Sequence, residues 1–197
     1  MREYVESETT HNGYTVKIIA DQDAQSPGED GDNGLFLVTT RNRYFQVLYK
    51  ENTSHGEDVG EVTERGELSK THWVFPLRAY IHSGVALSLS DGGCFSDPWD
   101  SGVIGAVFAA KSEWKYRTRE RKACVSAQTA AKGLVETWNQ YLSGDVWGYV
   151  IEDADGNSVD SCWGFYGLEY AKQEAMGQVP SEPSCPSDSA ELEETLS

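Results

Sequence analysis

The chain has 197 residues, and its 32 acidic and 16 basic side chains give a formal net charge of -16 at pH 7. This balance excludes a general nucleic-acid binder and a protein that adheres to anionic membranes, because both need clustered lysine and arginine. A hydrophobic content of 39% predicts a folded core, and no stretch approaches the roughly 18 apolar residues of a membrane-spanning helix.

The negative charge is spread unevenly along the sequence. Residues 1–34 carry a net charge of -6, residues 35–110 carry -3 and residues 145–197 carry -11, whereas residues 111–144 carry +4. The strongest negative field therefore belongs to the C-terminal quarter, and such a field attracts basic surfaces and repels nucleic acid. The acidic N-terminal stretch lacks the apolar region of a secretory signal, so we expect a cytoplasmic protein.

The N-terminal half predicts several strands separated by polar loops. Residues 1–12 are polar and are expected to be frayed, and the first strand is predicted over 14–20, which is rich in β-branched residues. A loop rich in Gly and Asp follows over 21–34. Further strands are predicted at residues 35–40, 44–49, 86–90 and 103–110. The last of these is continuously apolar, as is typical of a strand buried on both faces.

The best helix signal lies between residues 118 and 142. Small or apolar residues recur there at steps of three or four, which keeps one stripe along a helix. The predicted stripe consists of Ala123, Ala127, Ala130, Leu134, Trp138 and Tyr141. Gly144 follows as the expected stop, because glycine adopts the left-handed conformation that ends many helices.

A β-hairpin is predicted after the helix. Two strand-like runs, 145–152 and 158–166, flank a turn over 153–157 whose Asp-Gly pair supplies the positive φ of a tight reversal. A short helix is predicted over 168–176. From residue 178 onward the chain has three prolines, many serines and no aromatic residue, a composition that predicts an acidic disordered tail.

These elements predict an α+β protein with a mostly antiparallel sheet and one long helix packed on one face of the sheet. A single domain is expected over residues 1–177, followed by the tail over 178–197. The four cysteines, at residues 94, 124, 162 and 185, form no C-x-x-C pair, so we expect free thiols and neither a metal nor a cofactor.

A first candidate for catalysis is His82 with Asp97 or Asp100. A histidine oriented by a carboxylate can act as a general base, and a histidine with two aspartates can bind a divalent metal. The competing interpretation is that Asp97 starts the turn before Pro98 and that His82 forms a local hydrogen bond. With four histidines in the chain and no H-x-H or H-x-x-x-H spacing, the sequence favours the local role.

Two other patterns imitate functional sites. The turn over 153–157 alternates Asp and Asn like the ligands of a calcium loop, but the glutamate required at position 12 falls on Gly164, so we interpret it as a hairpin turn. The run KSEWKYRTRERK over 111–122 combines the basic and aromatic residues that bind single-stranded nucleic acid. The strongly negative total charge favours a solvated start of the long helix instead.

The glycines and tryptophans of DVWGYV and SCWGFYG allow two interpretations. They could line a pocket, but facing strands in which a glycine sits under a neighbouring tryptophan fit the pattern better. Trp147 and Trp163 are therefore candidates for a core or for a contact surface, and the sequence does not choose between these roles.

Several motifs around the long helix occur in a distinctive combination. They are YIHSGVALS, DPWDSGVIGAVF and TWNQYLSGDVWGYVIEDADGNSVDSCWGFYG, and they lie within residues 73–170. With PWDSG before the helix and SCWGFYG after it, the chain resembles a family of small proteins that bacteriophages and other mobile elements carry. The resemblance implies a genetic setting and assigns no catalytic residue.

The charge and this resemblance together predict a phage-encoded inhibitor of a host antiviral defence system, of the anti-CRISPR or anti-restriction type. A carboxylate-rich surface competes with nucleic acid for the basic channel of a nuclease, and so acts by DNA mimicry. The expected partner is a host defence protein, and direct nucleic-acid binding is not expected. The expected contact residues are carboxylates: Asp21, Asp23, Glu29, Asp30, Asp32, Asp153, Asp155 and Asp160.

Two alternatives stay open at this point. One is a hydrolase, either metal-dependent or His/Asp-dependent, that uses His82, Asp97 and Asp100. The other is a binding module that holds a host protein through Trp-rich loops. Whether the protein forms a homodimer is also left open by the sequence.

Overall fold

The chain divides into two compact units. The computed structural model describes residues 5–27, 35–39, 70–89, 95, 100–115 and 120–183. The first unit comprises residues 1–24 together with 145–197, and the second comprises residues 25–144. The sequence predicts one domain over residues 1–177, whereas the structure separates two units because strands from both ends of the chain pair with each other.

The described residues contain eight strands and three helices. In chain order the strands are β1 (Val5–His11), β2 (Tyr14–Ala20), β3 (Leu35–Thr39), β4 (His72–Ile81), β5 (Val85–Leu89), β6 (Ser101–Ala110), β7 (Val146–Glu152) and β8 (Ser158–Tyr166). The helices are α1 (Lys111–Lys115), α2 (Glu120–Ser143) and α3 (Leu168–Gln178). The protein is therefore α+β, as predicted, but it has two antiparallel sheets instead of one.

The sheet of the first unit has the strand order β1-β2-β7-β8, with each neighbouring pair antiparallel. β1 and β2 form a hairpin whose turn is Asn12-Gly13, and these residues have φ values of 50° and 78°. A two-residue turn of this kind matches the right-handed twist of the flanking strands. The prediction that residues 1–12 are frayed is therefore wrong for Val5–His11, because the turn and the ladder hold a polar edge strand.

The central strand pair of this sheet joins the two ends of the chain. β2 and β7 pair from Thr15↔Glu152 to Ala20↔Trp147. β7 continues into β8 through the predicted turn, in which Gly156 has a φ of 82°. The predicted hairpin is confirmed.

Helix α3 covers one face of this sheet. Its Ala171 and Ala175 are fully buried, and their small side chains let the helix approach the strands closely. The side chains that complete this core are Val16, Ile18, Tyr149 and Ile151. The helix begins beside Asp145, whose Oδ1 accepts a hydrogen bond of 3.1 Å from the Leu168 backbone N–H. A carboxylate in this place satisfies a free amide and complements the helix dipole.

The sheet of the second unit has the strand order β3-β6-β4-β5 and is also antiparallel. β6 lies in its interior, between β3 and β4, and all of its residues from 104 to 109 are buried. The predicted strand that is buried on both faces is thus confirmed. An interior strand of this kind must be apolar throughout, since neither of its faces meets water.

Helix α2 packs against the second sheet, chiefly against β5. Its buried stripe consists of Ala123, Ala127, Ala131, Val135 and Trp138. The prediction is correct for Ala123, Ala127 and Trp138. In the middle of the helix the buried residues are Ala131 and Val135, each one position after the predicted Ala130 and Leu134. Spacings of three or four leave a choice of one residue, which only the position of the sheet decides. Gly144 ends the helix with a φ of 76°, as predicted.

Asn139 of α2 binds the edge strand β5 directly. Its Oδ1 accepts a hydrogen bond of 2.7 Å from the Leu87 N–H, and its Nδ2 donates one of 2.9 Å to the Leu87 carbonyl. Leu87 pairs with Ala79 on its other side. The amide therefore occupies backbone groups that an edge strand otherwise offers to another chain.

Some predictions fall outside the described residues. The strand over 44–49 lies there, and so does the part of the predicted tail from residue 184 onward. Cys124 and Cys162 are free thiols, as predicted, and the other two cysteines are not among the described residues. Within the described part of the chain, no helix is long and apolar enough to cross a membrane.

Candidate functional site

The fold brings the two acidic ends of the chain into one unit. The first unit contains 17 acidic and 3 basic residues, for a net charge of -14, and the second contains 15 acidic and 13 basic residues, for a net charge of -2. Almost all of the net charge of -16 therefore belongs to the first unit. The described part of this unit, with twelve carboxylates and two lysines, has a net charge of -10 and produces a negative potential that attracts basic surfaces.

The described part of the first unit has two lysines, and both form ion pairs within that unit. Lys17 Nζ lies 2.6 Å from Glu152 Oε2, and both side chains are partly buried. Lys172 Nζ lies 2.8 Å from Glu169 Oε1. The same described residues include twelve carboxylates, so the two pairs leave negative charge in large excess.

The predicted contact residues lie at both ends of the first sheet. Asp21 and Asp23 follow β2 at one end, and Asp153 and Asp155 lie in the β7–β8 turn at the other end. The 7 residues of β7 separate the two ends by about 20 Å, since a strand rises about 3.3 Å per residue. The structure brings each pair together but does not join the two pairs. Outside the described residues lie Glu29, Asp30 and Asp32.

Asp21 links the ends of three strands. Its Oδ1 accepts a hydrogen bond of 3.1 Å from the Asp23 N–H, and its Oδ2 accepts one of 3.1 Å from the Gly164 N–H. The Asp21 N–H donates to the Val146 carbonyl at 2.9 Å. One carboxylate is therefore fixed beside β8, in a structural role that the acidic composition of the loop did not reveal.

Asp153 shapes the turn between β7 and β8. Its Oδ1 accepts hydrogen bonds from the Asp155 and Asn157 N–H groups at 2.9 and 2.8 Å, and its Oδ2 accepts one of 3.1 Å from Asn157 Nδ2. These bonds, above all the one from the Asn157 backbone, lower the pKa of Asp153 below its ordinary value. The carboxylate organises a hairpin turn, as the sequence predicts.

Asp160 accepts a hydrogen bond from a buried tyrosine of the first unit. The Tyr149 hydroxyl donates a hydrogen bond of 2.9 Å to Asp160 Oδ2, and the Ser161 N–H donates one of 2.9 Å to Oδ1. Burial of Tyr149, together with this hydrogen bond, raises the pKa of Tyr149 to about 12. Asp160 is therefore a structural acceptor, and nothing in the sequence distinguishes it from a surface carboxylate.

The two tryptophans of the β7–β8 hairpin have different environments. Trp147 packs with the α3 core and donates its Nε1–H to Asp145 Oδ1. Trp163 lies over Gly148, where an added Cβ would be 2.2 Å from Trp163 Cε3, so only glycine fits beneath the ring. The predicted glycine under a neighbouring tryptophan is thus confirmed. Trp163 is nevertheless 45% exposed, which makes it the largest exposed apolar side chain among the described residues.

The histidine candidate lies in the second unit. His82 Nδ1 is 3.0 Å from Asp100 Oδ2, and the His82 ring stacks with Tyr80 at a centroid distance of 6.3 Å. Asp97 lies outside the described residues. The His82 side chain is 69% exposed, so its bond to Asp100 is a surface contact. Among the residues that are described, no three His, Cys, Asp or Glu side chains could together hold a metal ion.

The fold and the charge define an acidic α+β protein with an exposed tryptophan on its acidic unit. The sequence matches no protein-family model, and neither the curated proteins nor the solved structures compared with it include a significant match. The case for a function therefore rests on the charge and geometry of the described residues.

Proposed function

We propose that this protein is a phage-encoded inhibitor that binds the basic nucleic-acid channel of a host defence nuclease in the cytoplasm. The observation that carries the proposal is the concentration of charge, with a net charge of -14 in the first unit and -2 in the second. Channels that guide nucleic acid are lined by Lys and Arg, and they attract any polyanion of suitable size. An acidic unit in such a channel blocks the nucleic acid by occupying its place.

The density of negative charge supports mimicry of a duplex. DNA carries one negative charge per about 1.7 Å of its axis, so about 20 Å of duplex presents about 12 charges. The described part of the first unit has twelve carboxylates and two lysines, a net charge of -10, and the strands of its sheet are about 20 Å long. Its charge density is therefore of the same order as that of the nucleic acid it would displace.

The test is inhibition of a nuclease, with salt as the diagnostic variable. Tagged protein is used to capture partners from a bacterial lysate at about 50 mM salt, and a captured nuclease is then assayed for DNA cleavage with increasing inhibitor. We expect inhibition that weakens steeply as the salt concentration rises, since exposed charges are screened. The proposal fails if no nuclease is captured, or if the captured nuclease cleaves DNA at its full rate in excess inhibitor.

A matched pair of variants locates the effect. Glu6→Gln with Glu8→Gln removes two exposed carboxylates from β1 in the first unit, whereas Glu113→Gln with Glu136→Gln removes two from the second unit. Both double variants change the net charge equally. We expect the first pair to weaken inhibition by roughly threefold to tenfold and the second pair to leave it unchanged. Equal effects of both pairs would contradict a site on the first unit.

A second candidate function is hydrolysis by His82, favoured by the bond of 3.0 Å between His82 Nδ1 and Asp100 Oδ2. A carboxylate in this position orients an imidazole for proton transfer. The test is a panel of ester, phosphodiester and peptide substrates with the wild type, His82→Ala and Asp100→Asn. Turnover that both variants abolish without loss of the folded state would support the hydrolase. Wild-type rates equal to the buffer blank would refute it.

A further inference from the structure

A β-bulge determines where Trp163 points. Trp147 pairs with Phe165 and Tyr149 pairs with Cys162, so two residues of β8 oppose the single residue between them on β7. The second of these two residues is a glycine with a φ of 85°, a conformation that other residues rarely adopt. Bulges of this kind re-aim a side chain, and this one places the indole across the neighbouring strand.

The indole packs against the backbone of β7 and remains partly exposed. The atoms nearest to an added Cβ on Gly148 are Trp163 Cε3, Cδ2 and Cζ3, at 2.2, 2.5 and 2.8 Å, so the ring rests on the backbone of β7. The side chain is still 45% exposed. An aromatic face fixed in this way loses little freedom when a ligand stacks on it, which favours affinity.

One carboxylate is bound to the residue next to Trp163. Asp21 Oδ2 accepts a hydrogen bond of 3.1 Å from the Gly164 N–H, and Asp21 Oδ1 accepts one of 3.1 Å from the backbone N–H of Asp23. The two lysines in the described part of this unit are engaged with Glu152 and Glu169. A partly exposed indole on a strongly acidic unit attracts a cation, because the face of an aromatic ring and the carboxylates both carry negative potential.

We propose that Trp163 anchors the acidic surface by stacking with an arginine of the partner's basic surface, while Asp21 and Asp23 attract the guanidinium. This inference rests on the proposed function and specifies which residue makes its central contact. Arginine is the preferred cation because its planar group stacks on an aromatic ring and bonds a carboxylate at the same time. Central contacts of protein interfaces are enriched in Trp and Arg for the same reason.

The test uses a nona-arginine peptide as the partner's surrogate and isothermal titration calorimetry at about 50 mM and about 300 mM salt. Trp163→Ala changes no charge, and we expect it to weaken peptide binding by about fivefold to tenfold at both salt concentrations. The matched control is Tyr170→Ala, which removes another exposed aromatic ring from the same unit and should bind like the wild type. Trp163→Phe, which keeps an aromatic face, should recover part of the affinity.

Gly148→Ala provides an independent check, because it keeps Trp163 but removes the space beneath its ring. We expect this variant to lose affinity as Trp163→Ala does, with circular dichroism confirming the folded state of each variant. If Trp163→Ala binds as tightly as the wild type, the anchor is refuted while the charge-based function stands. If the wild type itself does not bind the peptide at low salt, the proposed function is refuted together with the anchor.

Discussion

The bond between Tyr149 and Asp160 predicts a loss of stability in alkali. The pKa of Tyr149 is raised from 10.0 to about 12, first by burial and then by the hydrogen bond to Asp160. Because an increase of one in pKa corresponds to about 1.4 kcal/mol, this rise corresponds to about 3 kcal/mol. The unfolded chain ionises this tyrosine near pH 10, whereas the folded chain resists ionisation until about pH 12. The contribution is therefore complete below pH 10 and is lost as the pH rises to 12.

The assay measures the urea unfolding of the wild type and of Tyr149→Phe, with circular dichroism as the signal, and compares their free energies of unfolding. At pH 9 we expect the wild type to be more stable by about 1.5 to 3 kcal/mol, the contribution of a hydrogen bond to a charged group. Between pH 9 and 12 the wild type should lose about 2 kcal/mol relative to the variant, because the folded-state tyrosine is half ionised at its pKa of about 12. Tyr170→Phe, which removes an exposed hydroxyl from the same unit, is the matched control.

A difference between wild type and Tyr149→Phe that stays constant within about 0.5 kcal/mol across this pH range would refute the reasoning. Asp160 would then be available to a partner, as the acidic composition of its surroundings suggests. The expected result instead removes Asp160 from the set of contact residues, since its carboxylate is committed to Tyr149 at 2.9 Å.

Three further substitutions test local features of the fold by thermal unfolding. Asn139→Ala removes both hydrogen bonds to Leu87 and should destabilise the protein by about 2 to 3 kcal/mol. An effect below about 0.5 kcal/mol would mean that these two hydrogen bonds do not stabilise the fold. Gly13→Ala places a Cβ where φ is 78° and should be less stable by about 1 kcal/mol; an unchanged midpoint would contradict the positive-φ turn. Asp145→Ala removes the acceptor of both the Leu168 N–H and the Trp147 Nε1–H and should lower stability by about 2 to 3 kcal/mol; an unchanged midpoint would argue against both hydrogen bonds.

Local patterns predicted most of the elements correctly. The apolar run over 103–110 became the interior strand β6, and the Asp-Gly turn became the β7–β8 hairpin. Each of these depends on side chains close together in sequence, whose spacing or turn chemistry is visible directly. Asn12-Gly13 is also a strong turn signal for the β1–β2 hairpin. The strand β1 was nevertheless not predicted, because the residues before the turn are polar.

Long-range pairing could not be predicted in the same way. Nothing in the alternation of β2 indicates that Lys17 will face Val150, because many strands of similar composition could pair with it. The division into two units follows from that pairing, and so does the union of the acidic ends. The exposure of Trp163 in the candidate site could not be predicted either, because it depends on a β-bulge for which the sequence gives no signal.

The concentration of charge in the first unit has opposite consequences for folding and for binding. The described part of this unit has twelve carboxylates and only two lysines. The carboxylates repel one another, and this repulsion opposes the compact state. Solubility alone does not require such crowding, because charge of both signs spread over a surface serves that purpose. Raising the salt concentration from 0.1 M to 1 M shortens the screening length from about 10 Å to about 3 Å. The thermal midpoint should therefore rise with salt while affinity for a basic partner falls. A midpoint that falls with salt would show that this repulsion does not limit stability, and an affinity that salt leaves unchanged would show that binding does not depend on the carboxylate charge.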